Sequence, residues 1–238
     1  GAVAVPLDTS FKASQVKTVL QDSGARVLFT TARYLPTAEE ASAGMTPAPQ
    51  IVMMAGTIAG LVSLDQPGND RAAPPACPAT RSDPAVILYT SGTTSDPKGV
   101  VLTHGNLLAE RDAALQVVTI DEHDRILGIL PLFHALAQIA NLLLPFTTGA
   151  RVVFLDTLNS NEMMRALQDR HITAFCVVPQ FYYLLHQRVV ERVAASSWSA
   201  RVIFRTLLVL NGWLRQRLGV NAGRFLFRAV HAALGGRM

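Results

Sequence analysis

Tyr89-Thr90-Ser91-Gly92-Thr93-Thr94-Ser95-Asp96-Pro97-Lys98-Gly99-Val100 is the stretch on which the reading of this chain turns. An apolar run, Ala85-Val86-Ile87-Leu88, enters it, and a second, Val100-Val101-Leu102, leaves it. Two short β-type runs joined by small residues predict strand, loop, strand. The loop is rich in hydroxyls and backbone N–H groups, poor in bulk, and closes on one cation, Lys98. A polyphosphate requires that combination: donors that can approach its oxygens, and a positive charge. The nucleotide-hydrolase P-loop is excluded. It needs Gly-Lys-Ser/Thr running into a helix, whereas here Pro97 precedes Lys98, Gly99 follows it, and the residues beyond predict a strand.

Outward from the loop, strand and helix patterns alternate, so the predicted class is α/β with largely parallel sheets flanked by helices. Residues 2 to 5 predict a short buried strand ended by Pro6. A helix follows from a Ser10 cap to about Asp22, stopped by Gly24, and then a strand at 26 to 30. Residues 33 to 44 predict a helix and 51 to 54 a strand. Residues 66 to 84, with five prolines, predict an exposed connection. Beyond the loop, Thr103 is the expected cap of a helix reaching about Val118, with His104 structural rather than catalytic.

The stretch Ile126-Leu127-Gly128-Ile129-Leu130-Pro131-Leu132-Phe133-His134 predicts an apolar strand ending at Pro131, with His134 just past its C-terminal end, the edge where open parallel sheets bind ligands. No charge occurs between Arg125 and Arg151. Pro131, His134, Gln138, Asn141 and Pro145 make this a buried strand and helix rather than a membrane span. Strands are predicted at 151 to 155 and 173 to 179, and helices from an Asn159 or Ser160 cap to Asp169 and from Gln180 to about Val193. Tyr182 and Tyr183 read equally as pocket lining or plain core.

The quoted stretch resembles the phosphate-loop signature of the AMP-forming adenylating enzymes, Tyr-Thr-Ser-Gly-Thr-Thr-Gly-x-Pro-Lys-Gly-Val, departing from it at Ser95. Leu102-Thr103-His104-Gly105-Asn106-Leu107 and Leu130-Pro131-Leu132-Phe133-His134 are similar to further wording of that family, with Ala137 where Gly is frequent. The resemblance implies activation of a carboxylic acid by ATP, with Mg2+, to an acyl-adenylate, and transfer of the acyl group to CoA. It implies that Thr90, Ser91, Thr93, Thr94 and Ser95 face the phosphates, that Gly92 and Gly99 admit close backbone approach, and that Lys98 and Thr94 act catalytically. His134 would lie at the acyl end. No residue is assigned to a metal. Two alternatives stay open: a nucleotide-binding remnant without chemistry, and an adenylation domain for amino acids or aryl acids.

The net charge of +4 is unevenly spread. Residues 201 to 238 hold seven arginines and no acid, which leaves −3 for the rest, so a general affinity for nucleic acid is not expected. Helices over this segment have strong apolar faces, with Arg201 and Arg205 on one side and Arg224 and Arg228 on one side. They resemble long-chain acyl-CoA synthetases, for which a fatty acid is the implied substrate. They also suggest peripheral contact with the inner face of a membrane in an otherwise cytoplasmic protein. Cys77 and Cys176 show neither metal nor disulfide spacing. The chain opens on Gly1 and matches only the early part of the family's large domain. It is therefore expected to be an incomplete N-terminal AMP-binding domain over 1–238, without the family's later metal-binding Glu, ribose-binding Asp and small C-terminal domain, and inactive alone.

Overall fold

A computed structural model describes residues 1–66, 76–90, 97–155, 159–233, 235 and 236. The chain divides into two compact units, one formed by Gly1–Ala114 with Pro131–Ala135, the other by Leu115–Leu130 with Leu136–Met238.

In the first unit the strand predicted at residues 2 to 5 shrinks to a single parallel bridge between Ala4 and Val86, and Ala2, Val3 and Ala4 are exposed. Pro6 has no amide hydrogen with which to continue a ladder. Helix α1 (Ala13–Ser23) starts two residues later than a Ser10 cap would place it, with Lys12 at the cap position. The Ser10 amide instead donates to Asp8 Oδ1 at 2.8 Å, and the Lys12 amide is satisfied by Gln15 Oε1 at 3.0 Å. Gly24 closes α1 in the left-handed conformation, φ 63°. Strand β1 (Val27–Thr30), helix α2 (Leu35–Ser42), and strands β2 (Gln50–Met53) and β3 (Val62–Ser63) follow. The three strands form a parallel sheet in the order β1-β2-β3. Val16 and Leu20 of α1 pack with Leu28, Ala38 and Ala41 into the core of this unit.

Strands β4 (Pro84–Thr90) and β5 (Lys98–Thr103) form a separate antiparallel pair. Helix α3 (His104–Val117) begins directly after it. Its first turn is capped reciprocally: the Asn106 amide donates to Thr103 Oγ1 at 3.1 Å, and the Thr103 amide donates to Asn106 Oδ1 at 3.0 Å. Residues 76 to 82 of the proline-rich connection are exposed, and residues 67–75 lie outside the described residues.

The second unit is built on a parallel sheet in which β6 (Arg125–Gly128) lies between β7 (Arg151–Phe154) and β8 (Ala174–Phe175). The uncharged stretch between Arg125 and Arg151 contains β6, then α4 (Ala135–Gln138), a π-helical turn at Ile139–Leu143, and α5 (Leu144–Thr148). Leu127, Ala137, Ile139, Asn141 and Leu144 are buried, as a strand and helix inside a fold require. Strand β6 stops at Gly128 rather than Pro131. A Cβ at Gly128 would come within 2.7 Å of the Phe154 ring, so glycine lets the neighbouring strand lay an aromatic across this position.

Asn159 caps α6 (Ser160–Asp169) by accepting from the Glu162 amide at 2.8 Å. Strand β8 has two residues, not seven. Pro179 instead opens α7 (Pro179–Ala194), where a missing amide hydrogen costs nothing. Leu127, Ala166, Leu167 and Ile172 form the core of this unit. Helix α8 (Trp198–Leu218) ends at Gly219, φ 66°. The last predicted helix breaks at Phe227 into α9 (Gly223–Leu226) and α10 (Arg228–Ala233). Arg224 and Arg228 thus sit on different helices rather than on one side of a single one.

Candidate functional site

The two strands that the signature's flanks predict are present, β4 on its N-terminal side and β5 on its C-terminal side. Val86, Leu88 and Tyr89 are buried on β4. Leu88 pairs with Val100, Tyr89 with Gly99, and Thr90 with Lys98. Thr90 and Lys98 are therefore the closing pair of the hairpin, one on each strand, and both are exposed. Ser91, Gly92, Thr93, Thr94 and Ser95 lie outside the described residues. A strand, not a helix, follows Lys98, which removes the P-loop on structural grounds as well. Among the described residues no carboxylate forms an ion pair with Lys98.

Gly99 has a steric reason to be glycine. A Cβ there would lie 3.1 Å from Tyr89 Cζ and 3.0 Å from Ile87 Cγ2, so the tyrosine ring lies over bare backbone. The Tyr89 hydroxyl donates to Asp22 Oδ2 at 2.6 Å. Burial, and then the bond to Asp22, push its pKa from 10.0 up to about 12. Sequence reasoning missed Asp22. The available signal was its position: an acid in the last turn of α1 opposes the helix dipole and calls for a tertiary partner.

His134 is exposed and belongs, with the rest of Pro131–Ala135, to the same compact unit as the hairpin. Its amide donates to the Pro131 carbonyl at 3.1 Å, and its ring centroid lies 4.4 Å from that of Phe133. Because β6 ends at Gly128, His134 is carried by a turn several residues past the strand rather than by the strand end itself. His104 opens α3, where its amide donates to the Asp83 carbonyl at 3.1 Å, a structural placement. Its Nε2 is buried and, among the described residues, has no hydrogen-bond partner.

Tyr182 and Tyr183 are exposed, which overturns their reading as plain core. Both cysteines are free thiols, and burial pushes the Cys176 thiol up, away from nucleophilic use.

A cavity of about 290 Å3 in the second unit is lined by Glu122, His123, Asp124, Arg125, Gly149 and Arg151. It sits where β6 and β7 begin, the edge opposite to that on which parallel sheets bind ligands. Asp124 there is engaged structurally: its carboxyl is held below the usual range by the Thr173 hydroxyl and the Asp121 amide. Among the described residues no cluster of three or more His, Cys, Asp or Glu could hold a metal ion. No helix among them is long and apolar enough to cross a membrane.

The sequence profile of the AMP-binding enzyme family matches residues 1–226. The feruloyl-CoA synthase of an Amycolatopsis species is 31% identical over 182 residues, covering 76% of this chain and 34% of that protein. The long-chain-fatty-acid–CoA ligase FadD15 of Mycobacterium bovis is 30% identical over 258 residues, covering 99% of this chain and 42% of that protein. Among solved structures, the anthranilate CoA ligase AuaEII in complex with anthranoyl-AMP is similar with a TM-score of 0.63 at 27% identity, covering 74% of this chain and 35% of that one. The chain thus spans well under half the length of the curated relatives it matches.

Proposed function

The chain belongs to the family of AMP-binding enzymes, and on that footing we propose that the full-length protein activates a carboxylic acid with ATP and passes the acyl group to CoA. In the first step a carboxylate oxygen bonds to the α-phosphorus of ATP, the bond from that phosphorus to the bridging oxygen breaks, and pyrophosphate leaves. The acid is now a mixed anhydride with AMP. In the second step the CoA thiolate attacks the carbonyl and AMP leaves with the electron pair. A carboxylate cannot expel oxide, and the adenylate replaces oxide with a stable phosphate anion.

Catalysis of the first step is placement of charge. The Lys98 ammonium stabilises negative charge as it gathers on pyrophosphate, and the Thr90 hydroxyl donates to a phosphate oxygen. The same role is proposed for Ser91, Thr93, Thr94 and Ser95, with Gly92 and Gly99 admitting the phosphates to the backbone. His134 is proposed to meet the acid end of the substrate. Mg2+ is proposed to accompany the triphosphate, where it would offset the phosphate charge.

The observation that carries this reading is the exposed Thr90–Lys98 pair closing the hairpin that bears the signature. For the substrate we propose a long-chain fatty acid, supported by the similarity to FadD15 along almost the whole chain. An aryl acid is the second reading, supported by the feruloyl-CoA synthase and the anthranilate ligase. ATP–pyrophosphate exchange by the full-length protein, with palmitate, ferulate and an amino acid in parallel, separates them. Exchange with palmitate alone is expected. Exchange with none of the three would remove the enzyme reading and leave the nucleotide-binding remnant. The 238-residue chain alone, which spans under half the length of these relatives, is proposed to exchange little, and robust exchange by it would overturn that view.

A peripheral contact with anionic membrane, for a protein otherwise in the cytoplasm, is proposed for residues 201–238 and the turn before them. Both tryptophans of the chain, Trp198 and Trp213, are 73% and 53% exposed and fall on one stripe of α8 with Val202 and Val209. Arg201 and Arg205 flank this stripe. Co-sedimentation with phosphatidylglycerol vesicles but not with phosphatidylcholine vesicles is the expected result.

A further inference from the structure

We propose that Asp22 is a positioning residue for the ATP site, acting through Tyr89 on Thr90 and Lys98. The inference rests on the reading of Lys98 as the cation for the triphosphate. Tyr89 is fixed from two sides. Its hydroxyl donates to Asp22 Oδ2 at 2.6 Å, across 67 positions of sequence, and its ring lies over Gly99, where a Cβ would come within 3.1 Å of Cζ. Only 9% of the residue is exposed, so the ring has little freedom to swing.

Thr90 follows Tyr89 on β4, and Lys98 precedes Gly99 on β5. The residues under the ring and at its root are thus the immediate neighbours of the pair that closes the hairpin. A ring that tilts would disturb both strands at once, next to the paired positions from which the Thr90 and Lys98 side chains emerge. The far end of the tether is firm. Val16, Val19 and Leu20 bury the face of α1, and Gly24 ends the helix two residues after Asp22. Tyr89 stays protonated, and therefore a donor, across the neutral and moderately alkaline range, because burial and Asp22 both disfavour the phenolate. An acid at this end of a helix opposes the helix dipole, and the bond it makes to Tyr89 is the feature of the structure that accounts for it.

The test uses ATP–pyrophosphate exchange by the full-length protein, with KM for ATP and KM for the acid measured separately. For Asp22→Ala the KM for ATP is expected to rise about tenfold, the size of one hydrogen bond to a charged group, with the KM for the acid within about twofold of the parent. Asp22→Asn keeps an acceptor oxygen and is expected to restore most of the loss. Tyr89→Phe deletes only the hydroxyl and is expected to match Asp22→Ala, with the double variant no worse than either single one. Should Asp22→Ala fail to fold, Tyr89→Phe and Asp22→Asn carry the test. Equal rises in both KM values, or an unchanged KM for ATP in Tyr89→Phe, would overturn the proposal. Lys98→Ala is the control. If it leaves ATP use intact, the phosphate reading itself has failed; if it abolishes ATP use while Tyr89→Phe changes nothing, only the role of Asp22 has.

Discussion

The hairpin of the first unit buries a phenol and gives it a carboxylate, Tyr89 on Asp22, beside Thr90 and Lys98, the residues proposed to face the phosphates. The parallel sheet of the second unit buries hydrocarbon, Leu127 against Ala166, Leu167 and Ile172, and keeps its carboxylate bond at the strand starts, where Asp124 accepts from Thr173. Apolar packing is non-directional: it makes the sheet form but leaves small adjustments cheap. A buried hydrogen bond is directional and costly to leave unmade, so it fixes the orientation of whatever it holds. The difference suggests a division of labour, with hydrocarbon securing the scaffold of the second unit and a polar tether securing geometry next to the signature. Substitutions that separate folding from ATP use put that division to the test.

The largest effect is expected at Lys98. Lys98→Ala should lower kcat/KM for ATP in the full-length protein by about a hundredfold, the loss typical of removing one preorganised donor to developing charge. Because the side chain is exposed, unfolding free energy should move by less than about 0.5 kcal/mol. A loss of stability as large as the loss of activity would erase the distinction between tether and scaffold.

The sheet should respond in the opposite way. The Thr173 hydroxyl donates to Asp124 Oδ1 at 2.7 Å and accepts from the Arg125 amide at 3.0 Å. Thr173→Val leaves both groups without that partner and should cost about 1–2 kcal/mol in urea unfolding, with KM for ATP unchanged. The sign with pH follows from Asp124, whose carboxyl the folded state holds below its ordinary 3.8. That stabilisation is fully present above pH 3.8 and is lost as pH falls through the folded value. Thr173→Val should therefore flatten the acid limb of the stability curve. An equally steep limb in the variant would mean that Thr173 is not what holds Asp124 in its charged form.

Which of these features could be read from residues alone depends on how local their cause is. The strands around the signature, the stop at Gly24 and the Asn159 cap follow from neighbours within a few positions, and each was legible. Where two local causes compete, the sequence misleads. Asp8 claims the Ser10 amide, so α1 starts late, and Pro179 serves as a helix opener rather than a strand end. The exposure of Tyr182 and Tyr183 depends on what covers α7, which no periodicity encodes. Of the candidate site, Thr90, Lys98, Gly99 and His134 are named by the signature and its neighbouring motif, and their roles stay proposals. The bond from Asp22 to Tyr89 could not, because two residues 67 apart leave no shared pattern in the sequence.

The smallest effect is expected at His134, and it sharpens the comparison within the first unit itself. Lys98 and His134 are both exposed and both belong to that unit, yet they are assigned to opposite ends of the reaction. The His134 amide donates to the Pro131 carbonyl and its ring adjoins that of Phe133; the backbone bond survives truncation of the exposed side chain, so the fold should stay intact. His134→Ala should raise KM for the acid about fivefold, the worth of one ordinary hydrogen bond, with KM for ATP unchanged. Lys98→Ala should do the reverse. If His134→Ala instead raised KM for ATP and spared the acid, the turn at Pro131–Ala135 would belong to the phosphate side, and the acid would have to be met by residues elsewhere.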